Sequence, residues 1–128
     1  MPNQGVVLLE GFCLLSNALV RESVDIVIWI DVDQETCRQR RKVSRFPKPS
    51  GWDFAEYFDS MVWPAHTAYA KGFRRAYQHS QDSVKRLNGC LPIAAVVDHA
   101  SRFVRACYTR RLGPVARDDR TQKLKPES

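Results

Sequence analysis

The hydrophobic positions of the chain fall into short unbroken runs separated by segments with three- and four-residue spacing, a mixture that predicts an α/β domain. Val6-Val7-Leu8-Leu9 is the first run; two of its members are β-branched and Glu10-Gly11 closes it, so it reads as a short buried strand with a carboxylate at its exit. Phe12 to Glu22 reads as a connector of one or two helical turns capped at Ser16-Asn17. Asp25 to Asp31 is a second strand, apolar and β-branched enough to be covered on both faces of a parallel sheet. Asp31 or Asp33 caps the helix that follows, Gln34 to Lys42, and Asp31 with Gln34 has the spacing of a capping box.

That helix carries Arg38, Gln39, Arg40, Arg41 and Lys42 with almost no apolar stripe, so it is either a solvated surface helix or a lid. Pro47, Pro49 and Gly51 force an extended excursion between Val43 and Asp53. Phe54 to Val62 reads as a short helix or turn with Tyr57, Phe58 and Val62 on its apolar side. Pro64 opens a long amphipathic helix whose apolar positions run Ala65, Tyr69, Phe73, Ala76, Tyr77, Val84 and Leu87, with Lys71, Arg74 and Arg75 outside. Asn88-Gly89 stops it, Pro92 to Val97 is a third strand ending at Asp98, and Ser101 to Leu112 is the last helix. Residues 113–128 form a basic, polar tail predicted not to pack.

Composition bounds this picture. With 128 residues, 44% of them hydrophobic, the chain has material for one core, which places a single domain over residues 1–112. No run approaches the roughly 20 apolar residues of a membrane span, and the N-terminal stretch lacks the basic start and small-residue cleavage site of a leader. The expectation is a soluble cytoplasmic protein with no membrane partner. Cys13, Cys37, Cys90 and Cys107 have no C-x-x-C pairing, and His66, His79 and His99 lack metal-ligand spacing, so buried free thiols are expected rather than a metal site.

A formal net charge of +6 suits an anionic ligand. The charge is concentrated in two regions, Arg38 to Lys48 and Arg102 to Lys125. Arginines on a closing lid neutralise phosphate charge through bidentate hydrogen bonds; the alternative is a basic surface helix followed by an ordinary proline turn.

Three features occur in order: the strand Leu8-Leu9-Glu10-Gly11-Phe12, the helix with Cys37-Arg38-x-Arg40-Arg41, and Tyr57-Phe58-Asp59-x-x-Val62-Trp63-Pro64 after a proline-rich loop. Over about residues 6 to 112 the sequence resembles the C-terminal half of a nicotinamide riboside kinase, in the uridine kinase-like P-loop kinase superfamily. The resemblance implies a partial P-loop kinase fold with parallel strands, flanking helices and a basic lid over about residues 34–53. It implies phosphoryl transfer from MgATP to the 5′-hydroxyl of a ribonucleoside. Glu10 matches the family's acidic residue near magnesium and ribose, and Arg38, Arg40, Arg41 and Arg45 match its phosphate-contacting lid. Phe46 falls near the position that stacks on the nicotinamide ring.

The sequence departs from that family at the phosphate cradle. A P-loop requires G-x-x-x-x-G-K-[ST], whose backbone N–H groups hold the phosphates, and no glycine here is followed by lysine and then serine or threonine. The family's N-terminal sheet portion and its catalytic base have no counterpart either. The resulting expectation is a kinase-like chain, incomplete at its N-terminal side or degenerate, that is inactive by itself. Two other classes stand beside it: a non-catalytic partner of a full-length kinase subunit, and a basic nucleic-acid-binding module, the latter without any recognisable motif.

Overall fold

The strand expected over Asp25 to Asp31 forms as β1 (Val27–Asp31) in the computed structural model, which describes residues 5–44, 48, 50–80 and 82–112. Before it lie a 3-10 turn, Leu14–Ser16, and the short helix α1 (Ala18–Ser23). Asn17 caps α1 as its residue type predicts: Oδ1 accepts from the Leu19 and Val20 amides at 2.9 and 3.4 Å. After β1 come α2 (Gln34–Val43), α3 (Phe54–Tyr57), a π-helical segment (Phe58–Val62), α4 (Trp63–Ala76), β2 (Val84–Asn88) and α5 (Ile93–Leu112).

The sheet among the described residues is a two-stranded parallel pair in the register Val27↔Val84 to Asp31↔Asn88. Parallel strands need a long crossover, here supplied by α2, α3 and α4. The fold is therefore mixed α/β with a parallel sheet and flanking helices.

Three expectations fail, each for a physical reason. Val6 to Glu10 forms no strand; Val6, Val7, Leu8 and Leu9 are 73, 85, 86 and 56% exposed. An apolar run becomes a strand only when a neighbour takes its backbone hydrogen bonds, and among the described residues no strand pairs with this one. The long helix from Pro64 stops at Ala76, because the polar stretch after Tyr77 turns the chain through Ser80 N–H to Tyr77 C=O and Ser83 N–H to Ser80 C=O bonds, both 3.1 Å. Val84 and Leu87 continue the helical spacing by coincidence and lie in β2 instead. Pro92 to Val97 is not a third strand but the approach to and first turns of the 20-residue α5. A short apolar run does not separate buried strand from buried helix, and Ala94 and Ala95 favour the helix.

One face of β1 carries an aromatic stack. Trp29 lies 4.1 Å from Phe73 and 5.4 Å from Tyr69 between ring centroids, and Phe73 continues to Tyr77 at 5.0 Å. The stripe expected for α4 thus meets a tryptophan from the strand. Tyr69 also accepts the Leu15 amide at 3.1 Å, and burial raises its phenol pKa above the ordinary value. α5 packs on β2. Its last turns hold the amino ends of both strands: Arg110 donates to the Asp82 carbonyl at 3.1 Å and Arg111 to the Asp25 carbonyl at 2.9 Å.

The core is small. Among the described residues the buried hydrophobic side chains are Val27, Phe58, Ala70, Phe73, Leu87 and Cys107, with Phe58 wholly enclosed. The Phe-Asp-x-x-Val-Trp-Pro stretch thus contributes Phe58 to the core, its ring lying 6.0 Å from Phe54 and 6.1 Å from Trp63.

Candidate functional site

Parallel strands place their carboxyl ends together, and in open α/β sheets that end is where ligands bind. Here β1 hands over to α2 through Asp31-Val32-Asp33, and β2 turns through Asn88-Gly89-Cys90. Gly89 ties the two exits: its amide donates to the Asp31 carbonyl at 2.7 Å. A side chain there is excluded, since a Cβ would lie 2.6 Å from Ile30 Cγ2 and 2.7 Å from Val32 Cγ2. The sequence reading of Asn88-Gly89 as a helix stop is replaced by this close approach of two strand ends.

A cleft of about 660 Å³ opens at this end, lined by Asp31, Val32, Asp33, Arg74, Arg86, Leu87, Asn88 and Cys90. Asp31 is held from two sides: Oδ1 accepts the Trp29 indole N–H at 2.8 Å, and Oδ2 accepts Arg86 Nε at 2.8 Å. Asp33, rather than Asp31, caps α2. Its Oδ1 accepts the Thr36 amide at 2.8 Å, and its Oδ2 accepts the Thr36 hydroxyl at 2.7 Å and the Cys90 thiol at 3.0 Å. The Thr36 amide, followed by the Cys90 thiol, holds the Asp33 carboxyl down to a pKa of about 2. Gln34 forms no capping box and instead donates to Asp59 at 3.2 Å.

The cations of the cleft differ in their commitments. Arg86 is paired with Asp31, whereas Arg74 makes no ion pair or side-chain hydrogen bond among the described residues. Arg74 reaches the cleft from the last turn of α4, and Arg86 from β2.

The residues expected from sequence are dispersed. Glu10 lies exposed on the irregular N-terminal segment and does not line this cleft. Arg38 pairs with Glu35 on its own helix and with Asp59 at 3.3 Å. Arg40 donates to the Gly89 carbonyl at 2.8 Å, and the Arg41 guanidinium lies 5.6 Å from the centre of the Phe12 ring. Arg38, Arg40 and Arg41 thus contact three different parts of the chain. Arg45 and Phe46 lie outside the described residues.

Arg74, Arg86, Asp31, Asp33 and Cys90 carry no motif that marks them as site residues in the sequence. The available signal is the acids at the exit of Asp25 to Asp33; Arg74 reads in sequence as the outer face of a helix, and Arg86 falls within the run Val84 to Leu87 that shares that helical spacing. Among the described residues no group of three or more His, Cys, Asp and Glu is placed to hold a metal ion. No helix of the described residues is long and apolar enough to cross a membrane. Comparison with protein-family models, with curated proteins and with solved structures finds no match to the chain.

Proposed function

We propose that this chain is nicotinamide riboside kinase-like and binds a ribonucleotide or ribonucleoside in the cleft at the carboxyl ends of β1 and β2, without transferring a phosphoryl group by itself. The observation that carries this reading is the pairing of guanidinium and carboxylate groups in one cleft. Arg74 and Arg86 suit a phosphate, which guanidinium binds through parallel N–H bonds. The carboxylates beside them suit the hydroxyls of a ribose. The order of strand, arginine-rich helix and Phe-Asp-x-x-Val-Trp-Pro element supports the kinase side of the proposal.

Magnesium does not fit as a resident ion, since Glu10 is exposed on its segment and belongs to no acidic cluster among the described residues. No reaction step is therefore assigned to it. Without a G-x-x-x-x-G-K-[ST] loop in the sequence, no backbone cradle is available for the terminal phosphates.

Titration of the isotopically labelled chain with ATP, ADP and nicotinamide riboside, followed through amide chemical shifts, tests the proposal. Saturable shifts at Arg74, Arg86 and Asn88 are expected, weakened about tenfold by Arg74→Ala through loss of one charge-assisted contact. The same chain with MgATP and nicotinamide riboside is expected to form no phosphorylated product. Absence of saturable shifts at millimolar nucleotide and nucleoside would overturn the binding reading, and product formation would overturn the inactive one.

A further inference from the structure

β1 and β2 are unlike as edge strands. β2 reads Val84-Lys85-Arg86-Leu87-Asn88, with Lys85 and Arg86 exposed, and charged side chains are how natural sheets protect an outermost strand from further pairing. β1 reads Val27-Ile28-Trp29-Ile30-Asp31 and has no such protection; Ile30 is 53% exposed. A strand of that composition belongs inside a sheet, with a neighbour on each side. β2 occupies one side, and among the described residues no strand occupies the other.

The same chain holds a segment suited to the vacant side. Val6 to Glu10 has the length of β1, five residues, and the apolar, β-branched composition of a buried strand, yet it is unpaired and its four apolar side chains are exposed. We propose that two copies of this chain associate by reciprocal strand donation, the Val6–Glu10 segment of each adding to the free edge of β1 in the other. A molecule carrying both an unpaired strand and an unprotected edge of equal length is self-complementary, and reciprocal exchange closes the assembly at two copies.

The area is sufficient. Burial of a Val or Leu side chain corresponds to roughly 60–120 Å² at the usual transfer coefficient. Four such side chains from each copy, exposed for most of their surface, and the comparable surface they cover on the receiving edge amount to about 1,000 Å². That is the lower bound for a specific interface. Each copy carries a formal charge of +6, so association is expected to require salt that screens the repulsion.

Sedimentation equilibrium of the full chain in roughly 0.3 M salt, where the Debye length is well under 10 Å, tests the proposal. Twice the chain mass of 14.7 kDa is expected. The double substitution Val7→Lys, Leu8→Lys is expected to return the chain to 14.7 kDa with its helical circular dichroism signal unchanged, because these side chains are 85 and 86% exposed in the single copy. In a mixture of labelled and unlabelled chains, isotope-filtered NOEs are expected between Val6–Leu9 of one copy and β1 of the other. A monomer at all concentrations, a dimer unaffected by the double substitution, or intermolecular NOEs that avoid β1 would each overturn the proposal.

Discussion

Arg86 and Asp31 are bound across the parallel pair: Nε and Nη2 of the arginine lie 2.8 and 2.6 Å from the same carboxylate oxygen, while the other oxygen accepts the Trp29 indole. The contact couples strands far apart in sequence at the end where the cleft opens. Both side chains are partly solvated, so the pair contributes in the range of surface ion pairs. Arg86→Met is expected to lower stability by about 0.5–1 kcal/mol, read by urea unfolding, and to shift the Trp29 indole proton resonance through reorientation of Asp31.

Phe58 is the wholly enclosed side chain of the core. Phe58→Ala is expected to cost about 3–5 kcal/mol. Against so small a set of buried residues that loss approaches the whole stability of the domain, and thermal denaturation is expected to lose its cooperative transition.

The cap of α2 sets a pH dependence. Asp33 has a folded-state pKa of about 2 against its ordinary 3.8, so its carboxylate stabilises the fold fully above the ordinary value and the contribution is lost as pH falls from about 4 through 2. The Thr36 amide resonance is expected to titrate in that window, and Asp33→Asn is expected to remove the titration while keeping a side-chain cap.

Gly89 lies where two strand exits meet, and a methyl group there would collide with Ile30 and Val32. Gly89→Ala is expected to destabilise by about 1–3 kcal/mol through overpacking. Hydrogen exchange is expected to show faster opening of the 2.7 Å Gly89-to-Asp31 bond than of the amides in α5.

Tyr77 presents the opposite case. Its hydroxyl is buried without a hydrogen-bond partner among the described residues, while its ring packs on Phe73. Tyr77→Phe keeps the ring and removes the unsatisfied group, so an unchanged or higher melting temperature is expected, by up to about 1 kcal/mol in stability.

Local chemistry was legible wherever a few neighbouring residues decide the outcome. Asn17 and Asp33 cap helices because a short side-chain oxygen reaches amides two or three positions on, and β1 forms where four consecutive apolar residues, Val27 to Ile30, lack any helix signal. The near absence of an apolar stripe on α2 likewise implied its exposed surface. Burial of Phe58 and the aromatic face of α4 followed from spacing alone. Partner-dependent features were not legible. Val6 to Leu9 has strand composition but no strand beside it, Val84 and Leu87 have helical spacing but pair with β1, and Pro92 to Val97 has the look of a strand but enters a helix. The mixed α/β character, the caps and the basic helix α2 follow from residue types within one or two turns. Which strands pair, where the α2 arginines reach, and that Arg74, Arg86, Asp31 and Asp33 share one cleft emerge only once the chain is folded. Those outcomes depend on which groups, distant along the chain, supply each other's hydrogen bonds and charge partners.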